Sequence, residues 1–377
     1  MKKILLVDDD PVVLRVFRDG LMRQGFEVQT ATDGLAAVNS LDTSRPDVVV
    51  LDLMMPKLTG ADVVKFIRGQ PALSDLPVIM LSNSYVDELS NAARQAGVQE
   101  TLVKSRCSPS TLVEIIQQTL GLNSPAKSEP TVAEQEFRAR ARSDFLAHAK
   151  ETCQALRELC NKLKSATTDL EKERRLQDVY RKAHFVTATA GLANCSRIEK
   201  MSTVLEALLV SFMEKPTNLD PSVWRTLNMS IDFLETLFQE SDETVAPPQT
   251  NPRVLVVDDD AVSNRAIIST LRRINVTAYG FQDPVEAFQS LQTVRYDLIL
   301  LDIEMPGVSG IEFCRRVRGQ GPYRKTPIVF VTLHADFETH AEGLLSGGND
   351  LIGKPIFPME LAVKTVIHLL KRESEDP

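Results

Sequence analysis

Three consecutive aspartates, Asp8, Asp9 and Asp10, follow an apolar run, and Asp52 closes a second run further along the chain. Carboxylates gathered in one place repel one another and hold on to protons. A hard divalent cation relieves that repulsion, and an all-oxygen donor set suits Mg²⁺, which takes one or two carboxylates with waters and phosphate oxygens. Such a site is prepared for a phosphoryl group. One carboxylate can be the nucleophile, forming an aspartyl phosphate. Ser82 and Lys104, each ending another apolar run, supply a hydroxyl and an ammonium for the phosphoryl oxygens as charge builds on them.

The same constellation occurs twice. Residues 4–10 read ILLVDDD and residues 254–260 read VLVVDDD, an offset of 250. The offset carries Asp52 to Asp302, Met55-Pro56 to Met305-Pro306, Gly60 to Gly310, Ser82 to Thr332, Gly97 to Gly347 and Lys104 to Lys354. So many matched positions without a gap mark two copies of one domain. Acidic strand ends that merely cap helices are the plain alternative for a lone DDD, but they do not account for the full repeated set.

The elements that must position these residues are legible in each copy. Apolar runs at 4–7, 27–31, 48–52, 77–82 and 100–104 alternate with helical patterns near 11–24, 34–41, 61–69, 87–96 and 109–120. Runs that are apolar throughout are strands buried on both faces, so helices must flank a parallel sheet. Five such units predict a doubly wound α/β sheet, whose ligands bind beyond the carboxyl ends of the strands. Asp8, Asp9, Asp10, Asp52, Ser82 and Lys104 all fall at that edge, as do Asp258, Asp259, Asp260, Asp302, Thr332 and Lys354.

Two polar, proline-bearing stretches, 122–131 and 239–252, read as linkers. Between them apolar residues recur at helical spacing in four stripes: Phe145 to Leu163, Leu176 to Ala190, Ile198 to Phe212 and Val223 to Leu237. Four amphipathic helices predict an antiparallel bundle. His184 lies about 100° off the second of these stripes, with Gln177, Arg181, Ala188 and Gly191 as helix neighbours. That predicts a half-exposed imidazole beside a cation and two small residues. Such a group is a competent phosphoryl acceptor, with Arg181 offsetting the added charge.

About residues 2–121 and 252–372 resemble the receiver domains of bacterial response regulators. The resemblance implies phosphorylation of Asp52 and Asp302. It implies Mg²⁺ ligation by Asp8, Asp9, Asp52 and the Met54 carbonyl, and by Asp258, Asp259, Asp302 and the Glu304 carbonyl. Ser82 with Lys104, and Thr332 with Lys354, would read the phosphoryl group. The segment Arg181-Lys182-Ala183-His184 resembles histidine phosphotransfer (HPt) domains, over about residues 133–240, which implies phosphorylation of His184. There are departures. Proline usually follows the lysine, as in Lys354-Pro355, but the first copy has Ser105. The switch aromatic is Thr101 in one copy and Leu351 in the other. The HPt lysine and glycine after the histidine are replaced by Thr187 and Ala188. Glu304 and His334 are placed to overhang the second site. The expected layout is therefore receiver (1–122), HPt-like four-helix bundle (133–240), receiver (252–373).

Composition agrees with a globular chain: 43% hydrophobic and 25% charged residues. The net charge of −8 argues against nucleic acid or an anionic membrane as partner. The five cysteines form no metal-type pair and fit a reducing compartment. The apolar run after Met1-Lys2-Lys3 is too short for a signal core, and a cytoplasmic protein is predicted. The expected function is a bacterial phosphorelay protein rather than an enzyme with its own output. Its expected partners are a sensor histidine kinase and a downstream receiver or effector, with room for a homodimer. The competing reading is an interaction protein whose bundle is a spacer or dimerisation element. A metal-dependent phosphatase with its nucleophile on the first strand would want a DxD pattern and a cap domain, and the strand-three aspartate and strand-five lysine fit the receiver reading better.

Overall fold

A computed structural model describes residues 1–55, 57–82, 97–104, 107–122, 132–214, 221–240, 251–332, 345–354 and 357–375. The chain divides into two compact units, Met1–Thr152 with Arg181–Glu199, and Cys153–Tyr180 with Lys200–Pro377.

The first unit contains the first copy: β1 (Lys3–Val7), α1 (Pro11–Arg23), β2 (Glu27–Ala31), α2 (Gly34–Thr43), β3 (Val48–Asp52), α3 (Gly60–Gly69), β4 (Val78–Ser82), β5 (Glu100–Val103) and α4 (Pro109–Thr119). The strands form one parallel sheet in the order β2-β1-β3-β4-β5. Alternate residues face opposite sides of a strand, and both sides are apolar. Leu5, Val7, Val49, Leu51 and Met80 pack with Val63 and Ile67 of α3. Ile4, Leu6, Val50, Ile79 and Leu81 pack with Phe17 of α1 and Ile116 of α4. The helical pattern at 87–96 lies outside the described residues.

Helix starts are set by side-chain caps. The Asp10 carboxylate accepts from the backbone N–H of Val12 and Val13. Thr59 and Asp62 form a reciprocal capping box at α3. The third aspartate of each triplet is thus a cap, since Asp260 likewise accepts from Val262 and Ser263. Arg68 ties the entrances of β4 and β5 together by donating to the carbonyls of Ser74, Leu76 and Gly97.

Among the described residues five helical segments, not four, fill the middle: α5 (Val132–Ala147), α6 (Ala149–Lys164), α7 (Asp169–Leu192), α8 (Ser196–Glu214) and α9 (Pro221–Glu240). The stripe expected to run unbroken from Phe145 to Leu163 is divided at His148, whose Nδ1 lies 2.7 Å from the Asp144 carbonyl oxygen. An imidazole at that oxygen competes with the helical ladder. The stripe of α7 (Val179, Ala183, Val186, Ala190) is buried. In the first unit, Ala188 and Leu192 on a neighbouring face of α7 join the cluster formed by α1, α4 and the sheet.

The second unit contains the second copy: β6 (Arg253–Val257), α10 (Ala261–Arg273), β7 (Thr277–Phe281), α11 (Pro284–Ser290), β8 (Leu298–Asp302), α12 (Gly310–Arg318), β9 (Ile328–Thr332), β10 (Asp350–Gly353) and α13 (Pro358–Glu375). Its sheet order, β10-β9-β8-β6-β7, is the same topology. Here α13 meets the middle helices. The Thr226 hydroxyl on α9 donates to the buried Glu360 carboxylate at 3.0 Å, and Phe212 of α8 stacks on Phe357 at 5.1 Å between centroids. Arg157 of α6 pairs with Asp232 and Glu235 of α9. All five cysteines are free and buried.

Candidate functional site: twin acidic pockets and a buried histidine

In the first copy, parallel pairing of Val7 with Leu51 sets Asp8 beside Asp52, and pairing of Ser82 with Val103 brings Lys104 alongside. The site therefore sits where the strand order reverses, outside the carboxyl ends. Gly60 is required there, because a Cβ would lie 2.3 Å from the Asp52 carbonyl oxygen. The Lys104 ammonium contacts Asp8 Oδ2 at 2.8 Å and Asp52 Oδ2 at 3.2 Å. Burial and the neighbouring Asp8 raise the Asp52 carboxyl to about 6 against the pull of Lys104. Burial works against the Lys104 charge, but Asp52 and Asp8 outweigh it and hold the ammonium above its ordinary range. Burial also raises Asp9 and Asp10.

The second copy repeats the pattern. Lys354 contacts Asp258 Oδ2 at 2.9 Å and Asp302 Oδ2 at 2.8 Å. Asp258 is fixed from behind by the Ser263 hydroxyl at 2.6 Å and the Asp260 N–H. Burial raises Asp302, while Lys354 holds it back. The carboxylates of Asp258, Asp259 and Asp302 converge within 4.8 Å.

Among the described residues the two pockets differ in what enters them from the middle helices. In the first unit His184 of α7 enters the acidic pocket, with Nε2 at 3.1 Å from Lys104 Nζ and 3.8 Å from Asp52 Oδ2. The matching ligand-type groups there are Asp9, Asp52 and His184, whereas among the described residues the second pocket offers carboxylates alone. A lysine ammonium has only donors. In a hydrogen bond between them Nε2 is therefore the acceptor, its lone pair is directed at Lys104, and the ring proton sits on Nδ1. His184 is 4% exposed, so the expected half-exposed imidazole is corrected. The face of α7 bearing His184, Ala188 and Leu192 is covered by the first copy. Arg181 is exposed, and Lys104 is the cation set against Nε2.

The remaining expected residues fall as follows. Ser82 and Thr332 end β4 and β9 and are buried beside their lysines in the ladder. Met54 is half-buried against the sheet cluster, and Glu304 is exposed, its N–H 3.4 Å from Asp302 Oδ1. His368 pairs with Asp350. Ser105, Pro355, His334 and His340 lie outside the described residues. Sequence reasoning missed the Arg68 clamp, although the offset finds it: Arg318 donates to the carbonyls of Gly347, Tyr323 and Thr326.

The response regulator receiver domain profile matches residues 4–117 and 254–365. The chain belongs to the response regulator receiver family. Receiver 1 and receiver 2 are accordingly the first and second copies. The transcriptional regulatory protein PrrA of Mycobacterium bovis is 41% identical over 121 residues, covering 32% of this chain and 49% of PrrA. ResD of Bacillus subtilis is 38% identical over 128 residues, covering 34% and 52%. The chain thus spans about half the length of these curated relatives. The chemotaxis protein CheY4 of Vibrio cholerae is 33% identical, covering 31% of this chain and 96% of CheY4, with a TM-score of 0.30. Receiver domains of this kind work with histidine kinases and downstream partners in two-component signalling and bind Mg²⁺ in the acidic pocket. Among the described residues no helix is long and apolar enough to cross a membrane.

Proposed function

We propose that the chain is a phosphorelay carrier in which Asp52 and Asp302 accept phosphoryl groups and His184 exchanges one with Asp52 of its own chain. The observation that carries this reading is the Lys104 ammonium held between the two reacting groups, 3.2 Å from Asp52 Oδ2 and 3.1 Å from His184 Nε2. Thr187 cannot provide the cation that accompanies an HPt histidine, and Lys104 takes that place from the receiver side. In transfer toward the receiver, the Asp52 carboxylate attacks phosphorus as the P–N bond breaks. The electron pair returns to Nε2, and the imidazole leaves neutral with its Nδ1 proton. At 3.8 Å the pair is closer than a transferring phosphorus allows, so α7 must ease outward to seat the group.

The donor sets suit magnesium. Asp9 Oδ1 is buried with no hydrogen-bond partner among the described residues, and Asp258, Asp259 and Asp302 converge. Asp8, Asp9, Asp52 and the Met54 carbonyl would hold the ion in receiver 1, and Asp258, Asp259, Asp302 and the Glu304 carbonyl in receiver 2. When bound it neutralises charge on the phosphoryl oxygens. Lys104 and Lys354 hold one such oxygen, and Ser82 and Thr332 another. The chain carries phosphate between partners in the cytoplasm of a bacterium and has no catalytic output of its own. A sensor histidine kinase and a downstream receiver or effector are its partners.

The test loads His184 with phosphoramidate, a small donor that phosphorylates histidine, and follows acid-labile and base-labile phosphate separately. Asp52→Asn should trap phosphohistidine, and His184→Gln should abolish it. Loss of acid-labile phosphate at the same rate in wild type and Asp52→Asn would refute transfer and leave the helices as a spacer.

A further inference from the structure

The two pockets are internal controls for each other: the same residues at a constant offset and, among the described residues, one pocket with an imidazole in its mouth and one without. In receiver 1 the side chains of Asp8, Asp52 and Lys104 are 0%, 2% and 2% exposed. In receiver 2 the Lys354 side chain is 12% exposed, and Asp259 is exposed where its counterpart Asp9 is half-buried. In receiver 1, α7 adds to the cover of the pocket. His184 sits 3.8 Å from the nucleophilic oxygen, and Ala188 and Leu192, four and eight residues on along the same face, are packed into the α1–α4 cluster. A phosphoryl group brought by a third molecule has no room between Nε2 and Oδ2, and the receiver lysine that would hold it is already bonded to His184.

We infer that the two aspartates take different phosphodonors: Asp52 takes its phosphoryl group from the phosphohistidine of its own chain, while donors from outside the chain charge Asp302. This assignment rests on the His184–Asp52 relay only for the identity of the inner donor. Closure of Asp52 to outside donors follows from the packing alone. The same packing closes His184, so charging of the histidine from outside requires its face to leave receiver 1 first.

The experiment titrates the full chain with beryllofluoride and Mg²⁺, a probe that takes the place of the phosphoryl group on an aspartate, and reads each loaded site by ¹⁹F NMR. Wild type should bind about one equivalent and His184→Ala about two, because removing the plug frees the second pocket. Asp302→Asn alone should bind almost none, and Asp302→Asn with His184→Ala should recover the Asp52 signal. Ala188→Glu is the second opening variant. It leaves the imidazole in place, disrupts the packed face, and should expose Asp52 as His184→Ala does, with circular dichroism showing the helices retained. Equal loading of Asp52 and Asp302 in wild type, or an Asp302→Asn chain that loads Asp52 with or without His184, would overturn the inference. None of these readouts involves phosphohistidine. A failed relay with a closed pocket therefore leaves His184 as a plug, and a working relay with an open pocket removes the closure alone.

Discussion

Replacing Asp52 by Asn should stabilise receiver 1 at neutral pH even as it removes the phosphoacceptor. The buried carboxyl is raised from 3.8 to about 6. An acid whose value rises on folding is favoured in its protonated form by the folded state. Between about pH 4 and pH 6 the native chain holds a proton that the unfolded chain has released, so stability falls as pH rises through that window and stays lowered above it. At 1.36 kcal/mol per pH unit, a shift of about two units costs ~3 kcal/mol once Asp52 is ionised. Asparagine keeps nearly the same shape without the charge. The variant should therefore match wild type below about pH 4 and gain about 2–3 kcal/mol above pH 6, in chelator so that no metal repays the cost. Hydrogen-exchange mass spectrometry of peptides from β1 and β3 reads this locally, since the most protected amides report receiver opening. A variant no better protected than wild type at pH 8 would refute the reasoning. So would a gain equal at both ends of the window, which would point to packing rather than charge.

Other outcomes follow from the same geometry. Gly310→Ala would set a Cβ 2.0 Å from the Asp302 carbonyl oxygen; it should cost about 3 kcal/mol or more and depress beryllofluoride binding at Asp302, read by thermal denaturation and ¹⁹F NMR. Arg68→Met removes the tie between the β4 and β5 entrances; loss of about 2 kcal/mol is expected, with faster exchange in β5. Thr226→Val leaves the buried Glu360 short of a donor and should cost about 1–2 kcal/mol, measured by exchange in α9 and α13. Chelation of Mg²⁺ should abolish acyl-phosphate labelling at Asp302, and Asp259→Asn should raise the Mg²⁺ concentration needed about tenfold, measured by intact-mass phosphorylation.

The receivers were readable because their signals are local and doubled. Runs such as Val48–Leu51 can only be strands buried on both faces, and the constant offset turns each weak match into a paired one. The surroundings of His184 were not readable in the same way. Its burial depends on which surface covers the face carrying Ala188 and Leu192, and helical spacing can mark that face as small without naming its occupant. The cation beside it illustrates the point: Arg181 is the neighbour along the helix, whereas Lys104 comes from 80 residues away. The break at His148 was hidden for a different reason. The apolar spacing continues in phase across it, and only the side chain's approach to the Asp144 carbonyl reveals it. Asp10 and Asp260 could have been separated from their neighbours by sequence, since an aspartate immediately before a helix is a strong capping signal.

Phe357 follows Lys354 by three residues and is stacked on Phe212 of α8, while Glu360, one turn further on, is latched to Thr226 of α9. The aromatic ring that begins this segment is thus clamped to another helix. The start of α13 is thereby fastened to α8 and α9 at two points, one apolar and one polar, so cutting both should loosen the three helices together.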